Sequence, residues 1–198
     1  MGGVRGALSL FGALVVVVLA GGACSRKPDS PVRTSAAPPG AVTVRFANPT
    51  TSDVFVDAHY GENVVITDKL GRQLGRPEFC GTDCETCNRP VCGSPAAVMR
   101  RIPKGGTWEM KWEGDFFESA AGDKGCTCMR RRLAEDGTYT VTVKGRAAAT
   151  KVGAPMGSDP NLVSGDIDES SAVCTATGTV TLGVAPSTAD IAWSCTRP

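Results

Sequence analysis

Apolar and polar residues alternate along most of this chain, and helix-type periodicity is nearly absent. Residues 42–46 place Val42, Val44 and Phe46 on one face, and Asn48-Pro49-Thr50 follows as a turn. Residues 54–60 alternate again, with Val54, Val56, Ala58 and Tyr60 on one side and Phe55, Asp57 and His59 on the other; residues 64–67 make a shorter strand. From Trp108 to Trp112 large apolar and charged residues exchange at every position, so one face is buried and the other wet. Residues 139–143, 173–182 and 189–196 complete the predicted strands, the last two joined through Gly183 to Ser187. The stretch 145–170 is rich in Gly, Pro, Ser and Asp and reads as a long loop.

Threonine and valine dominate the patterned stretches and Gly and Pro are abundant, which is an all-β composition. Residues 41–198 are enough for one domain with its own core. Gly137 stands two residues before Tyr139 and Glu135 four before it, a spacing that resembles the tyrosine corner of immunoglobulin-like strands. The expected fold is an immunoglobulin-like antiparallel β-sandwich with a disulfide-rich insertion.

The first residues carry a different signal. One basic residue, Arg5, precedes an uncharged run from Gly6 to Ala23 whose apolar centre is Leu14 to Leu19 and which ends in Gly21-Gly22-Ala23-Cys24. The run falls short of the roughly 20 residues of a spanning helix and lacks a positive stop-transfer flank, so 1–23 reads as an export signal. It resembles a bacterial lipoprotein leader. That resemblance implies that Cys24 receives diacylglycerol and a further acyl chain such as palmitate, that the partner is a membrane reached through this anchor, and that the protein lies on the periplasmic side. Ser25 after the cysteine implies onward sorting to the outer membrane. Ordinary cleavage after Ala23, leaving Cys24 as a thiol, is the alternative. Residues 24–40 hold four prolines and one branched apolar residue, too little to fold, and read as a disordered tether.

Export changes how the cysteines are read. Of nine, Cys24 stands alone, and the other eight are even in number and lie in a chain bound for an oxidising space. Cys80-x3-Cys84-x2-Cys87-x4-Cys92 is a dense cluster, followed by Cys126-x-Cys128. Four thiolates at 80, 84, 87 and 92 would suit zinc or copper, the metal-binding alternative; compartment and irregular spacing favour disulfides, so no cofactor is expected. Six cysteines can pair in fifteen ways, which leaves their bonds open. Cys126 and Cys128 share a face if extended, so each bonds into the cluster rather than to the other. Cys174 and Cys195 both fall in phase with the apolar side of their strands, and a buried bridge between them is expected.

Removing the leader takes Arg5 from 21 basic residues and leaves them equal to the 20 acidic ones, so no electrostatic case for nucleic acid exists. His59, the one histidine, stands two residues after Asp57 without a serine or cysteine nucleophile arrangement. Asp166, Asp168 and Glu169 lack the glycine and spacing of a calcium loop. Arg130-Arg131-Arg132 make a local positive patch, and three charges on a wet edge explain it. No catalytic residue is assigned.

The runs from Ile102 to Trp108, Trp112 to Gly114 and Leu133 to Tyr139 resemble the proline-glycine turn, Trp strand and Gly-x-Tyr strand of BsuPI-type proteinase inhibitor domains. The resemblance implies a sandwich and makes an extracytoplasmic proteinase inhibitor the alternative function. The primary expectation is a lipid-anchored envelope protein acting as a non-enzymatic binding or structural module, its protein or ligand partner unidentified.

Overall fold

The computed structural model describes residues 40–58, 63–77, 80–93, 96–183 and 185–196, all within one compact unit. The leader, Cys24, most of the tether, His59 and Tyr60 lie outside the described residues. No helix occurs among the described residues. The strands are β1 Val42–Ala47, β2 Val54–Asp57, β3 Val64–Thr67, β4 Val98–Ile102, β5 Thr107–Trp112, β6 Asp115–Ala121, β7 Thr127–Leu133, β8 Gly137–Arg146, β9 Ala149–Met156, β10 Asp159–Ile167, β11 Val173–Leu182 and β12 Ser187–Thr196. Each stretch whose alternation predicts a strand contains one, although the strand expected over 54–60 ends at Asp57.

The strands make a β-sandwich. Strands β5, β1 and β12 form one layer, and β11, β8, β2, β4, β10 and β9 follow in order around the other, with β3 also on β8. Strand β12 belongs to both: residues 187–192 pair with β1 and residues 193–196 with β11. Where it passes between layers, Ile191 lies over Gly178, and a Cβ at Gly178 would stand 2.8 Å from the Ile191 side chain. The Cys174–Cys195 bridge pins this junction, joining register partners whose Cα atoms are 4.0 Å apart. Closing a loop of 21 residues contributes about 3 kcal/mol by the chain-entropy argument.

One pair departs from the antiparallel expectation: β1 runs parallel to β12. The two strands come from opposite ends of the domain, so no hairpin fixes their relative direction.

Inward-facing Val42, Val44, Phe46, Val54, Val56, Ile102, Val141, Val143, Val180, Leu182 and Trp193 fill one core. Trp108, Trp112, Tyr139 and Trp193 are all buried. Phe46 stacks on Trp108 with ring centroids 4.7 Å apart, and Trp112 meets Tyr139 edge-on at 5.1 Å. The Arg100 guanidinium of β4 lies over the Trp108 ring of β5 at 5.4 Å and donates to Asp159 Oδ2 at 2.6 Å. Asn48 is the one buried polar side chain among the described residues. Its amide donates to the carbonyls of Ser52, Ile102 and Pro103, and its oxygen accepts from the N–H and hydroxyl of Thr50.

The stretch 145–170 is a correction. It forms the end of β8 and the β9–β10 hairpin rather than a loop. Its pairing contains three register shifts, so apolar residues do not recur at every second position, and Pro155 sits on the outer strand, the place in a sheet where proline is tolerated. This hairpin gives β2 a second buried face, where Phe55 packs on Met99 and Val163.

Candidate functional site

The cystine-rich segment 80–93 carries most of the molecule's unusual chemistry, and a short turn organises it. Asp83 Oδ1 accepts from the Thr86 N–H and hydroxyl at 2.6 and 2.7 Å and from the Glu85 N–H at 3.1 Å. The Thr86 hydroxyl and N–H hold the Asp83 carboxyl below its ordinary value, against the opposing effect of burial. Cys87 N–H donates to Asp83 O at 2.9 Å and closes the turn, and Cys87 then takes a φ of 59° to end it. One turn of helical spacing brings residues 84 and 87 to one side.

Strands β6 and β7 form a separate two-stranded ribbon beside this segment. Cys84 bonds to Cys128 and Cys87 to Cys126, with Cα separations of 5.2 and 5.7 Å, while Cys80 bonds to Cys92 within the segment. Each of Cys126 and Cys128 therefore reaches into the cluster. The ribbon's turn makes this approach with Gly122, which is buried: a Cβ there would stand 2.5 Å from Cys126 Sγ, 2.8 Å from Cys84 O and 3.2 Å from Cys87 Sγ. The Asp123 N–H donates to Cys84 O at 2.9 Å beside the bridges.

Cys80, Cys84, Cys87 and Cys92 do not converge as one ligand set; they belong to three bridges. Among the described residues no group of three or more His, Cys, Asp or Glu side chains could hold a metal ion. Beyond the bridges, residues 88–93 are exposed throughout, with Val91 fully so. A cavity of about 450 Å³ between segment and ribbon is lined by Asp83, Glu85, Asp123, Met129, Arg130 and Arg131, which mixes both signs of charge.

No family model, curated protein or solved structure matches this chain. The reading of the site therefore rests on its own residues.

The remaining sequence candidates are placed as follows. Arg131 pairs with Asp115 at 3.2 Å and Arg132 with Glu118 at 2.6 Å, while Arg130 donates to Ala121 O, so the three arginines tie β7 to β6. These contacts are exposed and contribute little to stability. Asp168 caps its own turn by accepting from the Ser170 N–H and hydroxyl, and Glu169 pairs with Arg146 at 2.9 Å. Asp166 and Asp57 border a cleft of about 310 Å³ with Met99 and Ile167. Whether His59 adds to that cleft falls outside the described residues.

A second cleft had no sequence signal of its own. It has a volume of about 310 Å³ and is bordered by Asp68, Arg72, Leu74, Phe116, Leu133 and Tyr139. Its edge is the tyrosine corner: Tyr139 hydroxyl donates to Glu135 O at 2.6 Å. Burial, followed by the charges of Glu135, Asp68 and Asp136, pushes the Tyr139 phenol above its ordinary value. Burial pushes the Asp68 carboxyl up, but the Arg72 N–H and guanidinium and the Leu70 N–H together hold it below its usual value. The Gly and Tyr spacing marks the corner in the sequence, while Leu74 reaches the cleft through its backbone bond to Ile66 O and Phe116 through its pairing with Arg132.

Proposed function

We propose that this chain is an exported protein, anchored at the cell envelope through a lipid on Cys24, whose disulfide-stapled sandwich works as a non-enzymatic binding module. The observation that carries the reading is the pairing of every cysteine between 80 and 195 into four bridges, which leaves Cys24 as the cysteine that no bridge in the sandwich uses. Four bridges in one domain suit an oxidising compartment. Cys24 stands directly after an export-type leader, where diacylglycerol would be attached, and the proline-rich residues that follow would hold the sandwich away from the bilayer. Two or more acyl chains at one residue give stable anchoring where one does not.

The test is fractionation of cells carrying wild type or Cys24→Ser, together with intact mass of the mature protein. The wild type is expected in the membrane fraction with a mass raised by its acyl groups, and the variant is expected to leave that fraction. An unmodified Cys24 or a retained leader in the wild type refutes the anchor.

One observation favours a second reading as an extracytoplasmic proteinase inhibitor. Residues 88–93 form an exposed segment braced by three bridges, with Val91 fully exposed beside Cys92. A loop held in place before binding loses little entropy when it docks in a protease cleft. A panel of endopeptidases assayed with the purified protein tests this, and an inhibitor leaves 88–93 uncut while lowering the rate.

A further inference from the structure

We propose that the neighbouring bridges Cys84–Cys128 and Cys87–Cys126 form a thiol-exchange site, which takes an external thiolate at Cys126 and passes the opening on to Cys84 and Cys128. The inference is independent of acylation at Cys24. Three features of the segment carry it.

The first is the arrangement of sulfurs. Two residue pairs that are close along the chain, Cys84 with Cys87 and Cys126 with Cys128, are cross-linked to each other rather than within themselves. The Cys87 N–H bond to Asp83 O closes one turn over residues 83–87, so both members of the first pair lie within that turn. The second feature is Gly122, whose missing Cβ lets Cys126 Sγ, Cys87 Sγ and the Cys84 backbone crowd over one Cα. The third is a difference of burial: Cys84, Cys87 and Cys126 are half-buried, whereas Cys128 is 3 % exposed. Both sulfurs of Cys87–Cys126 are thus within reach of a nucleophile, whereas Cys84–Cys128 has one buried end at Cys128.

The exchange balances without net oxidation. An external thiolate attacks Cys126 Sγ, breaking Cys87–Cys126, forming a mixed disulfide on Cys126 and leaving Cys87 as a thiolate. Cys87 attacks Cys84 Sγ in the same turn, closing Cys84–Cys87 and expelling Cys128 as a thiolate. Cys128 is left as a thiolate and the external group stays on Cys126 as the mixed disulfide, because two residues that share a face of an extended strand do not bridge to each other. The product keeps the same number of disulfides, but 80–93 is no longer bonded to the ribbon. Cys80–Cys92 is closed within the segment, so its opening does not detach anything. The thiolate can come from a small molecule such as glutathione or from a protein dithiol of the Cys-x-x-Cys type.

The folded wild-type chain, treated in separate arms with limiting glutathione and with a reduced Cys-x-x-Cys dithiol protein, is quenched in acid, alkylated and mapped by peptide mass spectrometry. The expected product is a Cys84–Cys87 bridge, with Cys128 alkylated and the external thiol held on Cys126. It should form at least about tenfold faster than alkylation of Cys174, whose bridge lies in the core. The arm that yields it faster identifies the source of the thiolate. Alkylation of Cys87 and Cys126 with Cys84–Cys128 intact overturns the proposal, because Cys87–Cys126 then opens without passing anything on. Opening of all four bridges in step with Cys174 overturns it as well, because the thiols then react only through unfolding.

Discussion

Replacing Asn48 by alanine tests the hydrogen-bond cluster that joins the β1–β2 and β4–β5 turns. The side chain is 1 % exposed and makes five hydrogen bonds, two accepted from Thr50 and three donated to carbonyls. Of the donated bonds, the one to Ile102 O at 3.0 Å is buried, and those to Ser52 O and Pro103 O are partly buried. Alanine leaves Ile102 O without that donor where water does not reach, at a cost of about 1–3 kcal/mol, and each of the two partly buried donated bonds adds about 0.5 kcal/mol. The total is about 2–4 kcal/mol. The backbone bonds from Asn48 N–H to Gly106 O and from Gly105 N–H to Asn48 O survive the change, so the fold is retained. Urea denaturation followed by tryptophan fluorescence reads the difference: with a slope of about 2 kcal/mol/M the midpoint falls by about 1–2 M at unchanged slope. Asn48→Asp sharpens the test. Its carboxylate faces three carbonyl oxygens, so the folded state favours the protonated form and the folded pKa is raised. The variant is therefore more stable at pH 4 than at pH 7, opposite to the parent. A loss below about 1 kcal/mol in Asn48→Ala, with no inversion in Asn48→Asp, refutes the argument, because the turn carbonyls are then satisfied by water.

Two further outcomes are expected. Tyr139→Phe keeps the ring packed on Trp112 and removes the bond to Glu135 O, so it costs about 1 kcal/mol in the same denaturation assay, and no change means that the corner is held by packing alone. The carboxyls of Asp53, Asp83, Asp159 and Asp168 are held below their ordinary value, Asp159 chiefly by its bond to Arg100; their stabilisation is present above the usual carboxylate range near about 4 and is lost as pH falls through the depressed folded values. Melting temperature should therefore drop below that range, and Asp159→Asn should flatten the drop while lowering stability at neutral pH; an unchanged acid profile in that variant removes Arg100–Asp159 from the account.

The division between what was legible in the sequence and what was not follows the range of the interaction concerned. Alternation in β1, β5, β8, β11 and β12 identifies the inward residues, because a side-chain period of two is a property of the strand itself. The tyrosine corner is equally local, with donor and acceptor four residues apart. Cysteine parity and the lone Cys24 need only counting. Tertiary structure decided the rest. The bonds among the six middle cysteines depend on the ribbon β6–β7 folding back over 80–93, and nothing in the local spacing selects one of fifteen pairings. While β9–β10 is a local hairpin whose shifted register hides its alternation, the parallel meeting of β1 with β12 and the double burial of β2 likewise join segments distant along the chain. Such contacts are chosen by which faces remain to be buried once the local strands exist, and that choice belongs to the whole domain.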